Sequence, residues 1–426
     1  METYSSENQY LAALQDRSAL PAGFRAATTP LTFFPAEKKM AQPMKMNLSL
    51  ILLDEPTAAF AAVYTRNSMP GAPVLIGRER LSNPLLRGVL VNNRISNVCT
   101  PGGKENAVRL MDSLGRVLGA PGGQFLPAST GIIGWGLPVE EMERAMPVLR
   151  DGLQADSILP LARAIMTTDR WPKVRRATAG AGSVVGIVKG AGMMEPNLAT
   201  MLCFLCTDLA VPRGELREHL AWCVERSFNR MSVDSDQSTS DTVILMGSGR
   251  RGAVKPEEFR AALLSVCSGL AADVVHNGEG VGHVMRVTVR GARDERAARE
   301  IGKAVVNSPL VKTAICGNDP NVGRIASAVG DHLGNAGTPV DPRSVRIAMG
   351  GIEIFSGGFF RLTQEKETAL SAYLVECARD PAHKGWPEHD RTVDIEIGFD
   401  GPSAAVEVLG ADLSHEYVSE NADYRS

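Results

Sequence analysis

A cation, a run of small residues and a hydroxyl stand close together near the middle of this chain. The string KGAGMMEPNLATML covers residues 189–202. It sets Lys189 ahead of Gly190 and Gly192, a bend at Pro196 and Asn197, and the small Ala199 before Thr200. A threonine hydroxyl is a weak nucleophile unless a base stands beside it. Cutting the chain between Ala199 and Thr200 supplies one, because a freed α-amine titrates near ~8. The cut itself is an attack by the Thr200 hydroxyl on the preceding carbonyl, followed by hydrolysis of the ester. Ala199 leaves that carbonyl uncrowded. A plainer reading is that Thr200 is the N-cap of an apolar helix. Composition and periodicity alone favour the cap.

Other groupings carry less chemistry. Gly247-Ser248-Gly249-Arg250-Arg251-Gly252 follows an apolar strand, Thr242–Met246, as a dinucleotide-binding fingerprint would. The helical pattern, however, starts only after Pro256, and Asp273 lies within that helix instead of ending a second strand. A loop after a core strand accounts for it better. Cys203 and Cys206 form a CxxC inside an apolar, helix-like run with no second pair nearby, which reads as buried structural thiols. Asp234, Asp236 and Asp241 lack the glycine and the terminal glutamate of an EF-hand loop. The seven histidines are scattered and suggest no metal site.

The elements that must position Thr200 follow from periodicity. Leu48–Leu53 and Ala59–Tyr64 read as strands around an Asp54-Glu55-Pro56 turn, and Leu86–Val91 as a buried strand. Helical spacing covers Asn106–Leu118, Val139–Leu149, Glu215–Met231, Pro256–Val275 and Asp294–Val306. Val284–Arg290 is a strand. In the tail, Val393, Ile395, Ile397 and Phe399 share one face, with Ala404–Leu409 as the return strand. Strands and helices intermix throughout, which predicts an α/β (α+β) fold of layered sheets and helices with a smaller C-terminal part. A length of 426 residues predicts two or three compact units. A net charge of -3 points away from a nucleic-acid or membrane surface as the main partner. No apolar run reads as a membrane span, and the first residues do not read as a secretory signal, so a cytoplasmic enzyme is expected.

The 189–202 string resembles the cleavage-site motif of the bifunctional ornithine acetyltransferases, KGSGM, one variable residue, then PNMATML. Further segments resemble the same family in the same order. They include Ala61–Asn67, Asn97–Thr100, Ser129–Gly134, Met166–Asp169, Ser227–Arg230, Asn277–Gly280, Asn307–Gly330 and Glu416–Tyr424. The resemblance extends over essentially everything beyond residue 22. It implies a glutamate N-acetyltransferase that cuts itself into an α chain, 23–199 after an extension at 1–22, and a β chain, 200–426. Thr200 matches the nucleophile, and Thr130 and Gly131 match the oxyanion hole. Thr167, Lys189, Glu279, Asn421 and Ser426 match substrate-binding positions, with Thr168 as an alternative to Thr167. Lys189 would pair with the substrate's α-carboxylate. Glu279 would bind the ornithine amine or orient the threonine.

The implied cycle is ping-pong. Thr200 takes acetyl from N-acetylornithine and passes it to glutamate, with no cofactor or metal and in an α2β2 assembly. Some positions depart from the family pattern. Glu195 fills the variable slot, Val322 stands where tryptophan is usual, and Asn92–Asn97 differs from the common run. These departures leave open a paralogue with another donor or acceptor, or an amide hydrolase with water as acceptor.

Overall fold

The computed structural model describes residues 4–193, 195, 201–379 and 390–422. The chain forms two compact units. One takes in residues 11–229 and 236–274; the other takes in 230–235 and the chain from 275, together with the first ten residues.

The strands, in chain order, are β1 (Phe24–Phe33), β2 (Met44–Thr57), β3 (Phe60–Tyr64), β4 (Leu86–Asn92), β5 (Phe125–Ser129), β6 (Lys173–Ala179), β7 (Gly182–Lys189), β8 (Leu202–Thr207), β9 (Met231–Ser232), β10 (Thr242–Gly247), β11 (Val284–Arg290), β12 (Arg346–Met349), β13 (Ile352–Ser356), β14 (Phe359–Phe360), β15 (Val393–Gly398) and β16 (Val406–Ala411). The helices are α1 (Glu7–Arg17), α2 (Ala72–Arg80), α3 (Gly103–Leu118), α4 (Val139–Asp151), α5 (Leu159–Ala164), α6 (Arg213–Arg226), α7 (Pro256–His276), α8 (Glu295–Asn307), α9 (Pro309–Cys316), α10 (Val322–Asn335), α11 (Gln364–Cys377) and α12 (His415–Ala422).

The larger unit holds two mixed sheets, β1-β2-β4-β5 and β3-β10-β8-β7-β6. Under α3 and α4, the first sheet buries Leu48, Leu50 and Leu52 against Leu110, Leu114, Met142 and Met146. Each such side chain contributes roughly 1.5–3 kcal/mol of burial. Helix α3 ends where expected, because Gly119 takes a left-handed φ of 66° and closes the last turn. In the second sheet, α7 approaches β7 and β8 closely at Gly186. A Cβ there would stand 2.6 Å from Leu205 and 2.7 Å from Val266. Helix α7 is long and apolar enough to cross a membrane by length and composition. This differs from the expectation that no apolar run reads as a membrane span; most of the helix is buried, as befits a core helix. The smaller unit carries the sheet β14-β13-β12-β15-β11-β16-β9, packed on α8 through residues such as Val289, Val408, Ile301 and Val305.

Four expectations need correction. The run after Thr200 is a strand, not a helix. β8 lies between β7 and β10 with all six residues buried, and a strand covered on both faces reads as an unbroken apolar run. The N-cap reading of Thr200 therefore fails. Strands β2 and β3 are not partners around a turn. β2 runs on to Thr57 in the first sheet, while β3 pairs with β10 in the second. The tail strands β15 and β16 do not pair with each other. Both flank β11, β15 in parallel and β16 antiparallel. Finally, α6 stops at Arg226, short of Met231, which belongs to β9. Within the extension, residues 4–22 are ordered around a helix. This stretch contains α1, buries Leu14, and is tied down by a 2.6 Å contact between the Ser18 and Ser157 hydroxyls.

Candidate active site

The ends of β4 and β5 build the first part of the site. Asn92, at the end of β4, accepts the Ser129 hydroxyl at 2.6 Å and donates to the Ile95 carbonyl at 2.8 Å. Its own carbonyl takes the Thr130 N–H at 3.1 Å. The chain then turns sharply. Arg94, Asn97 and Cys99 all have positive φ, as do only three other non-glycine residues among those described. Such strain persists where surrounding contacts hold it, and it gathers at functional sites. The loop presses on Gly131, whose φ is +124° and whose Cβ, if present, would lie 2.2 Å from the Arg94 carbonyl carbon. Among the described residues, neither the Gly131 N–H nor the Thr130 hydroxyl has a hydrogen-bond partner. Two adjacent idle donors on a rigid turn suit an oxygen that gains negative charge.

A second part centres on a buried ion pair. The Lys173 ammonium donates to Asp169 Oδ1 at 2.6 Å, and both side chains are fully buried. Asp169 also accepts the Gly190 N–H at 2.8 Å and the Thr167 N–H at 3.2 Å. Burial alone would push this carboxyl up. The Lys173 and Lys189 charges and the two hydrogen bonds from Lys173 and Gly190 outweigh it and hold the group at about 2. Asp169 thereby ties Thr167 to the end of β7, where Lys189 sits. Thr167 is half-buried, while its neighbour Thr168 is exposed. Asn93 extends the linkage, because its side-chain amide donates to the Ala164 carbonyl at 2.9 Å and to the Met166 carbonyl at 3.2 Å. A continuous set of hydrogen bonds thus runs from Thr130, through Asn92, Asn93 and the 164–169 segment, to Gly190, the residue after Lys189.

Lys189 is 5% exposed, and among the described residues its ammonium has no hydrogen bond or ion pair. It faces Leu202 across the β7–β8 pairing. Met201, just before β8, donates its N–H to Asp241 Oδ1 at 2.9 Å. Thr200 and Ala199 lie outside the described residues, as does Ser426. The sequence therefore places Thr200 two residues before the strand position opposite Lys189.

The ArgJ family profile matches residues 34–426. The chain belongs to the ArgJ family. An ArgJ bifunctional arginine-biosynthesis protein of Nitratidesulfovibrio vulgaris is 40% identical over 419 residues, covering 96% of this chain and all of that one. A glutamate N-acetyltransferase of Streptomyces clavuligerus, Oat2, is 38% identical over 88% of this chain and 92% of its own. A solved ArgJ structure from Bacillus halodurans is 32% identical, covers 52% of this chain and 98% of that one, and has a TM-score of 0.45. This membership makes the chain a glutamate N-acetyltransferase of the ornithine acetyltransferase type.

Within the smaller unit of this ArgJ chain, Glu279 and Asn421 come together. The Asn421 amide donates to Glu279 Oε2 at 3.0 Å. Helix α12 reaches Glu279 because Gly280 has no side chain, and a Cβ there would stand 2.1 Å from the Tyr417 nitrogen. The CxxC thiols Cys203 and Cys206 are buried and pushed up by burial, so they stay protonated and inert. Asp169 and Lys173 were missed as site residues. Their signal was two charges four apart, flanking Trp171-Pro172 in a segment that is not helical.

Proposed function

We propose that this chain cuts itself between Ala199 and Thr200 and then carries acetyl on Thr200, from N-acetylornithine to glutamate. Thr130 and Gly131 stabilise the oxyanion of each tetrahedral intermediate, a contribution of about 3–4 kcal/mol for such donors. Lys189 takes the α-carboxylate of the donor and then of the acceptor. Thr167, whose N–H is held by Asp169, binds the same substrate. Glu279 with Asn421, and Ser426, complete recognition of the amino-acid substrate. No metal or cofactor enters the cycle, and the assembly is α2β2.

The observation that carries this reading is the Lys189 ammonium: buried, close enough to Asp169 and Asp241 to act on both, yet with no direct hydrogen bond or salt bridge among the described residues, and opposite the strand that begins two residues past Thr200. Its N–H donors are therefore open to an arriving carboxylate. The sheet supports the cut as well. β3, β6 and β7 precede residue 200, and β8 and β10 follow it. The cut would leave 23–199 and 200–426 joined by the β7–β8 and β3–β10 ladders.

The test is to incubate the protein with N-acetylornithine in the absence of acceptor, digest it, and find the acetyl group. It should sit on the peptide that begins at Thr200 and leave when glutamate is added. Loss of the acetyl to water without glutamate would make the chain an amide hydrolase. Acetyl found elsewhere, or nowhere, would overturn the reading.

A further inference from the structure

Glu279 stands in a turn that leads into β11, with Gly278, Gly280 and Gly282 around it. A turn so rich in glycine has little stiffness of its own. Other parts of the smaller unit supply it. The Gly282 N–H donates to Asp412 Oδ1 at 2.9 Å, and the Gly282 carbonyl accepts the Arg379 N–H at 2.7 Å. The Gly280 carbonyl accepts the Ser414 hydroxyl, which in turn accepts the Tyr417 N–H at 3.0 Å. One turn further along α12, the Asn421 amide donates to the Tyr417 carbonyl and to Glu279 Oε2, both at 3.0 Å. The segment 412–421 thus holds the Glu279 turn at both ends.

Asp412 follows β16, and its side chain is 0% exposed; that of His283, just ahead of β11, is 3% exposed. Asp412 Oδ2 meets His283 Nδ1 at 3.0 Å. His283 Nε2 meets the Leu374 carbonyl of α11 and Asn318 Oδ1, each at 3.1 Å. All three partners offer oxygen lone pairs. A neutral ring has a single N–H and would turn its own lone pair toward one of them, whereas a ring that donates from both nitrogens meets them all. Asn318 reaches the ring from a left-handed backbone, with a φ of 54°. Such strain persists where surrounding contacts hold it. Apolar residues of similar volume commonly serve a core's stability as well as a buried ion pair does. Stability alone therefore does not account for His283 and Asp412.

We propose that His283 and Asp412 are positioning residues for amino-acid recognition: the buried pair fixes the Gly282 end of the turn and the start of α12, and so sets the Glu279 carboxylate against Asn421. Neither residue touches the substrate; both act through Glu279. The pair gathers the entry to β11, the end of β16, α11 and the turn after α9 at one point. The glycine-rich turn thereby keeps a single geometry while one amino acid leaves and the next arrives. This rests on the reading of Glu279 and Asn421 as substrate-binding residues.

Full-length His283→Gln, His283→Lys, Ser414→Ala, Glu279→Gln and Val305→Ala test it beside wild type, each by kcat and KM for glutamate and by Tm. Glutamine is uncharged and donates from one nitrogen only, whereas the lysine ammonium has three N–H donors and no lone pair, which suits three oxygens. His283→Gln should raise KM roughly tenfold or more, the usual effect of leaving a buried partner unsatisfied, with kcat within about threefold of wild type. His283→Lys should bring KM back toward wild type. Val305 lies in the core of the same unit, and Val305→Ala should lower Tm without moving KM. A wild-type KM in His283→Gln would overturn the proposal. So would equal KM values in the glutamine and lysine variants, or a matching rise in Val305→Ala at the same loss of Tm. Should His283→Gln not fold, Ser414→Ala decides: a KM raised about threefold or more supports the proposal, and a wild-type KM overturns it. A wild-type KM in Glu279→Gln would instead remove the underlying reading of that site.

Discussion

Replacing Gly131 by alanine tests the oxyanion turn. The added Cβ would meet the Arg94 carbonyl carbon at 2.2 Å, where ordinary contact begins at 3.4 Å. The turn must open by the difference, 3.4 − 2.2 = 1.2 Å. The φ of +124° adds backbone strain of about 1–3 kcal/mol for any residue with a side chain. A displacement near 1 Å at a reacting group costs on the order of 10²-fold in rate, and loss of one oxyanion donor costs 10²–10³-fold. Gly131→Ala should therefore lose at least about 100-fold in kcat for acetyl transfer to glutamate. Cleavage at Thr200 should slow too, since it passes through an oxyanion of the same kind. Gly134→Ala is the control. Its φ is +87°, but a Cβ there meets nothing within 4 Å. It should lower Tm by about 2–4 °C per kcal/mol of strain and leave kcat unchanged. Gly131→Ala with kcat within threefold of wild type would refute the oxyanion assignment.

Other outcomes follow from the same geometry. Asp169→Asn strands the Lys173 ammonium in the core and should cost about 3–5 kcal/mol of stability, read by urea unfolding; adding Lys173→Met should recover most of it. Asp169 is held at about 2, below its ordinary 3.8, so it stabilises the fold above pH 4 and ceases to as pH falls toward 2. The wild type should lose roughly 2 kcal/mol more than that double variant across this window. Asp241 has the opposite sign. Its raised carboxyl makes the folded chain bind a proton that the unfolded chain releases, so stability drops as pH rises above 4. In an uncleavable Thr200→Ala background, Asp241→Asn should be more stable than Asp241, by a margin that grows from pH 4 to pH 7. Equal margins at both pH values would contradict the buried neutral acid. Gly280→Ala should push α12 off its seat and part Asn421 from Glu279, raising KM for the amino-acid substrate at least tenfold with a smaller effect on kcat.

Periodic elements were legible because their residues alternate environments. Leu110, Leu114 and Gly119 marked α3 and its end, and Val284–Arg290 marked β11. The run 201–206 misled because every residue in it is apolar, and a strand buried on both faces has no period to read. Partnership was harder than existence. Alternation marked β15 and β16 as strands but says nothing about β11, more than 100 residues earlier, which both of them flank. In the site, Lys189 and the Thr130-Gly131 turn were recognised by resemblance. Asp169 has only a weak local signal, its spacing to Lys173, and Asp241 has none: their meaning lies in hydrogen bonds to Gly190 and Met201, which only the folded chain brings into reach.

The central claim is that Thr200 becomes an N-terminal residue. Intact mass under denaturing conditions, on the purified chain beside Thr200→Ala, tests it most directly. The account predicts two fragments broken between Ala199 and Thr200 in the wild type and a single whole chain in the variant. One uncut chain in both samples, under conditions where acetyl transfer proceeds, would contradict it.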